Sequence, residues 1–133
     1  MAATATRREA RERALMLLYE AEAKTLTPSA LVDDLPVPPD DYTSCVVLGV
    51  EAKAHEVDSL ISRHAIGWAL DRMPAVDRAV LRVATYELME RPDVPTAVVL
   101  SEAVELAGEY STEESGRFVN GVLASVAAEV RAS

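Results

Sequence analysis

Apolar residues recur along this chain at three- and four-residue intervals, the spacing of helices that bury one face. In the first run Ala10, Ala14, Leu17, Leu18 and Ala21 share a stripe. Thr6-Arg7-Arg8-Glu9 in front of it has the form of a capping box, so a helix is predicted from about Arg7 to Ala23. Thr27-Pro28 opens a short second helix, which must stop before the proline-rich stretch Leu35–Pro39. Asp40 caps a third, whose apolar face runs from Val46 through Val50 and Val57 to Ile61 and which reaches about His64. Residues 65–73, with Trp68 and Leu70, read as a further short helix.

Pro74 precedes a segment from Ala75 to about Glu90 that is apolar nearly all round, through Val76, Ala79, Val80, Leu81, Val83, Ala84 and Leu88. Such a pattern marks a central, buried helix. Its one narrow polar stripe, Asp77, Arg78, Arg82 and Thr85, is expected to be its visible edge, open to solvent or to a partner. Pro92 and Pro95 bracket a turn before a helix from Thr96 to Glu109, with Gly108 as a candidate terminator. Ser111-Thr-Glu-Glu114 reads as a second capping box, followed by a helix carrying Phe118, Val119, Val122, Leu123, Val126 and Val130. No strand-like alternation and no internal repeat interrupts this pattern. The expectation is an all-α single domain of six or seven helices over residues 1–133.

Composition narrows the function. The single cysteine, Cys45, allows no disulfide framework or thiolate metal cluster and reads as a small apolar filler. His55 and His64 stand apart without a ligand set, and no glycine-rich phosphate loop or catalytic motif is present, so no metal, no cofactor and no enzyme are expected. No long apolar run and no signal peptide occur, which points to the cytoplasm and away from membranes.

The net charge of −9 argues against a broad nucleic-acid surface, but its distribution is uneven. Within residues 1–13, Arg7, Arg8, Arg11 and Arg13 outnumber Glu9 and Glu12, on a body that is otherwise acidic. By helical geometry Arg7, Arg8 and Arg11 fall within an arc of about 100°, while Arg13 points elsewhere. The macrodipole disfavours cations at a helix start, so this breach of local preference suggests a site. Guanidinium forks suit phosphate. Solvated Arg–Glu pairs, such as Arg8 with Glu12, account for the pattern equally well. About three phosphate contacts on a single strand give a log–log salt slope of only about −2, so binding needs base stacking or a partner. Arg117 beside Phe118, the only phenylalanine, offers a candidate stacking pair, and Tyr19 a second ring. On the sequence alone, a core role is favoured for both rings.

The run Arg7–Tyr19, the run Val76–Leu88, Asp93-Val-Pro-Thr96 followed by Glu102–Ala107, and the closing Arg117-Phe-Val-Asn-Gly-Val-Leu123 resemble, in order, segments of the NusB transcription antitermination family. The resemblance implies two packed helical subdomains, here about residues 1–66 and 67–133. It implies binding of boxA RNA together with NusE, a small-subunit ribosomal protein, and entry into an RNA polymerase complex that reads through terminators, notably on ribosomal RNA operons. By position it implies phosphate contacts at Arg7, Arg8 and Arg11, base stacking at Phe118 with Arg117 nearby, and a NusE-facing side at Asp77, Arg78 and Arg82. Self-association as a homodimer stays open, since no heptad seam specifies it. A helical protein–protein adaptor that never touches RNA, and the NusB-like module found beside ribosomal RNA cytosine methyltransferases, are the competing readings.

Overall fold

The computed structural model describes residues 5–131, which form seven α-helices and one 3-10 turn. Helix α1 spans Arg7–Ala23 and begins as its sequence requires: the Thr6 hydroxyl accepts from the Glu9 amide, and the Glu9 carboxylate accepts from the Thr6 amide. Those bonds hold the Glu9 carboxyl below its usual range. Helix α2 spans Pro28–Asp33 with Thr27 as its cap, and α3 spans Asp41–Ala52 under Asp40. The predicted third helix does not run unbroken to His64. It breaks at Lys53, and a separate helix α4, Ala54–His64, follows.

Residues 65–73 form no helix beyond a 3-10 turn at Leu70–Arg72. Gly67 adopts φ +84°, a left-handed conformation that ends helical propagation, and Ile66 projects into solvent while Trp68 leans on Phe118, so no continuous apolar face rewards a helix there. Helices α5, Ala75–Glu90, α6, Thr96–Tyr110, and α7, Glu113–Val130, follow. Helix α6 runs through Gly108 to Tyr110, and the cap of α7 is Thr112, whose hydroxyl accepts from the Ser115 amide. The capping box predicted on Ser111 is therefore one residue early.

Helix α5 is the axis of the molecule. It packs against α1, α3, α4, α6 and α7, while α2 closes over α1 and α3. One continuous apolar cluster joins Leu15, Val46 and Ile61 to Leu81, Val99 and Leu123. The close approach of α3 to α5 depends on Gly49, where an added Cβ would stand 2.3 Å from ring atoms of the buried Tyr86. Alanine favours a helix interior by about 1 kcal/mol, but a clash of this depth displaces the ring and costs about 1–3 kcal/mol. Gly49→Ala is therefore expected to lower the urea midpoint despite the better helix former; a rise would show that Tyr86 relocates freely.

The C-terminal end of α5 is closed from a distance. The Arg131 guanidinium donates to the carbonyls of Glu87, Leu88, Arg91 and Val94 and to the Thr96 hydroxyl, at 2.7–3.1 Å. It thus caps the Leu88 carbonyl, adds a second donor to the Glu87 and Arg91 carbonyls that the Arg91 and Val94 amides already meet, and fixes the turn into α6.

Candidate nucleic-acid and partner interface

The three arginines expected on one open face of α1 take separate courses. Arg7 is half-exposed and lies over the Tyr42 ring, its Cζ 3.7 Å from the centroid, with Asp93 at 4.0 Å. Arg8 turns towards α6, where it pairs with Glu105 and is flanked by Glu102 at 3.1 Å and Glu109 at 3.5 Å. Its hydrogen bond holds the Glu105 carboxyl below the usual range.

Arg11 is only 3% exposed and does not present a guanidinium to solvent. Its Nε donates to both oxygens of the buried Glu87 at 3.0 Å, its second terminal nitrogen lies 2.9 Å from the same carboxylate, and Glu102 stands 3.4 Å from the first. The Tyr42 hydroxyl donates to Glu87 as well. Burial, then that hydrogen bond, pushes the Tyr42 phenol far up. Arg11 is corrected from phosphate contact to internal counter-ion. The helical wheel gives its angle on α1 but not the glutamate on α5 that meets it.

Arg117 and Phe118 also part, because successive helix residues point about 100° apart. Arg117 lies in a shallow groove between α6 and α7 beside Val104, Glu105 and Asn120, with no ion pair or hydrogen bond among the described residues. Phe118 is half-buried against the core and tilts at 59° to Trp68, 6.0 Å between centroids. Tyr19 is exposed on α1.

The polar stripe of α5 is no solvent edge. Asp77 and Thr85 are buried, and Arg78 and Arg82 are committed within the chain. Arg78 donates to the carbonyls of Leu70 and Met73 and pairs with Glu22; Arg82 makes a bidentate pair with Asp58 and also reaches Glu22. These two arginines clamp the 3-10 turn, α1 and α4 onto α5. The Arg78 pair holds the Glu22 carboxyl below its usual range.

Asp77 faces away from both. It lies in a groove of about 380 Å³ between the 65–73 segment and the start of α7, walled by Trp68, Met73 and Phe118. Its Oδ2 accepts from the Ser115 hydroxyl at 3.0 Å, while its Oδ1 has no hydrogen-bond partner among the described residues. A buried carboxylate oxygen left unpaired is costly, and two aromatic rings line the groove that holds Asp77.

The family model described as "NusB family" matches residues 8–128. The chain belongs to the NusB family. The transcription antitermination protein NusB of Kineococcus radiotolerans is 46% identical over 127 residues, which cover 92% of this chain and 93% of that one. The solved structure of T. maritima NusB has a TM-score of 0.84 at 34% identity and covers 96% of this chain and 94% of its own. A further solved structure, of the antitermination factors NusB and NusE in complex with dsRNA, contains a chain with a TM-score of 0.76 at 28% identity, covering 92% of this chain and 96% of that one. The likeness thus runs through the whole helical body rather than one motif. The all-α fold expected from the sequence, and its NusB-like character, are both borne out. Among the described residues no helix is long and apolar enough to cross a membrane.

Two residues that carry this geometry escape a reading of the sequence. Glu87 is one: an acidic side chain on a helix whose other residues apart from one polar stripe are apolar demands a cation, and that signal stands in Tyr86-Glu87-Leu88. Arg91 is the other. It lies 4.8 Å from the Tyr42 centroid, beside Arg7, and grips Asp93 through two nitrogens at 3.0 and 3.1 Å.

Proposed function

We propose that this NusB-family chain is a cytoplasmic, non-enzymatic antitermination factor that binds a boxA-type RNA element jointly with a NusE-type ribosomal protein. The pair would join the RNA polymerase complex that reads through terminators, notably on ribosomal RNA operons. The observation that carries this reading is the Asp77 groove. A buried carboxylate with one oxygen unpaired, flanked by Phe118 and Trp68, matches a basic side chain whose aliphatic stem packs on the rings. Ribosomal proteins are rich in such side chains. The NusB chain solved with NusE and dsRNA supports the same pair of ligands for this fold.

The RNA-facing part is smaller than the sequence suggests. Arg7 is open; Arg8 is shared with three glutamates; Arg117 is unpaired among the described residues and lies beyond them on α7. With Arg11 withdrawn, so few guanidinium groups on an acidic body bind RNA weakly alone, and a basic partner would extend the surface.

Titration of a boxA single strand, a scrambled strand and a duplex, each with and without NusE, tests this. Affinity for boxA is expected to rise sharply with NusE. Arg7→Ala with Arg8→Ala is expected to weaken it and to make the log–log salt slope shallower by about 0.7, the one single-strand phosphate contact that Arg7 supplies while Arg8 stays with its glutamates. An unchanged affinity at both of two salt concentrations would favour the adaptor that never touches RNA.

A further inference from the structure

Two guanidinium groups rest on one tyrosine ring where the start of α1 meets the turn after α5. Arg7 comes from α1, Arg91 from that turn, and Tyr42 from α3 lies under both. The platform is rigid. Tyr42 is buried with its hydroxyl fixed on Glu87, and Arg131 holds the carbonyls of Arg91 and Val94 on either side of Asp93. Both cations are turned towards one anion, the Asp93 carboxylate, which Arg91 takes bidentately and Arg7 approaches at 4.0 Å.

We propose that Arg7 and Arg91 form a clamp for one backbone phosphate of the bound RNA, and that Asp93 fills this clamp in the free protein and is displaced when RNA binds. The inference rests on the RNA-binding reading above and names a residue and a brake that reading lacks. A guanidinium fork accepts a carboxylate or a phosphodiester in the same planar geometry, and each carries one negative charge. The exchange is therefore one anion for another at a preformed site. Asp93 is half-exposed, so its release costs little, and the Arg7 guanidinium already stands open beside it. Arg8 offers no such exchange, because three glutamates enclose it. A self-occupied clamp also discourages loose association with arbitrary polyanions, since each must first compete with a carboxylate tethered two residues from Arg91.

Fluorescence anisotropy of the full chain with a labelled boxA strand, at several salt concentrations, tests the clamp. Asp93→Asn, a surface change that leaves the fold alone, is expected to tighten binding about two- to fivefold. Arg91→Ala is expected to weaken it about tenfold and to make the log–log salt slope shallower by about 0.7, one phosphate contact; loss of affinity through a merely loosened turn would leave that slope unchanged. If Arg7→Ala weakens binding while Arg91→Ala and Asp93→Asn leave both affinity and slope at wild type, the clamp is overturned and the RNA-binding reading stands. If Arg7→Ala is also without effect, both fall.

Discussion

Replacing Glu87 by alanine is expected to lower stability by about 3–5 kcal/mol, a large share of what a domain of this size possesses. The cause is the cation left without its counter-charge, more than the packing that the shorter side chain forgoes. Arg11 is buried and cannot shed its proton, and Glu87 supplies both oxygens that its Nε meets. Without them the guanidinium keeps only Glu102 at 3.4 Å, and the Tyr42 hydroxyl loses its acceptor. Glu87→Gln keeps the shape and one acceptor, so it is expected to cost less than the alanine. Removing both charges together, as Arg11→Leu with Glu87→Leu, is expected to cost less than either single truncation, because no uncompensated ion remains. Urea unfolding followed by circular dichroism reads all of these. If the single and double substitutions simply add, the pair is not the coupled unit described. The same variants separate the two roles considered for Arg11. As an internal counter-ion, it should change RNA affinity only as far as it changes the folded fraction.

Asp77→Asn is expected to move stability and partner binding in opposite directions. The amide no longer buries a formal charge with an unpaired oxygen, so the unfolding midpoint should hold or rise slightly. Affinity for a NusE-type partner should fall about tenfold or more, because a basic side chain seated in the groove would lose its counter-charge. Asp77→Lys should weaken association further, by setting like charges against each other in a site walled by Trp68 and Phe118. Calorimetry decides it: wild-type affinity in the lysine variant would remove Asp77 from the interface. A carboxylate in the first turn of α5 that accepts from Ser115 also has a structural use, so a fall in the unfolding midpoint with unchanged partner affinity would assign Asp77 to the fold alone.

Most of the helices are legible in the sequence because their signals are local. Thr6 and Glu9, Thr27 and Pro28, and Asp40 all set helix starts through groups within a few residues of one another. The errors lie where distant contacts decide. The break at Lys53 is not visible in a run of apolar residues that keeps its period through it, and the apolar residues of 65–73 read as a short helix although Ile66 is left in solvent and Trp68 meets Phe118 of α7. The same holds for the site. Periodicity places Arg7, Arg8 and Arg11 on one arc of α1, yet Tyr42, Glu87 and the glutamates of α6 draw them apart, and those partners come from other helices. The polar stripe marks Asp77 as unusual but assigns it to an open edge, whereas its buried oxygen makes it a different kind of group from Arg78 and Arg82.

The arginine that closes the end of α5 also sets an order of events. Synthesis runs from the amino end, so Arg7, Tyr42 and Arg91 have all left the ribosome before Arg131 reaches back to hold the turn that carries Arg91. A corner of the protein that is made early is thus among the last to become stiff. Until α7 docks, a newly made chain carries the right residues in a corner too loose to hold them in place.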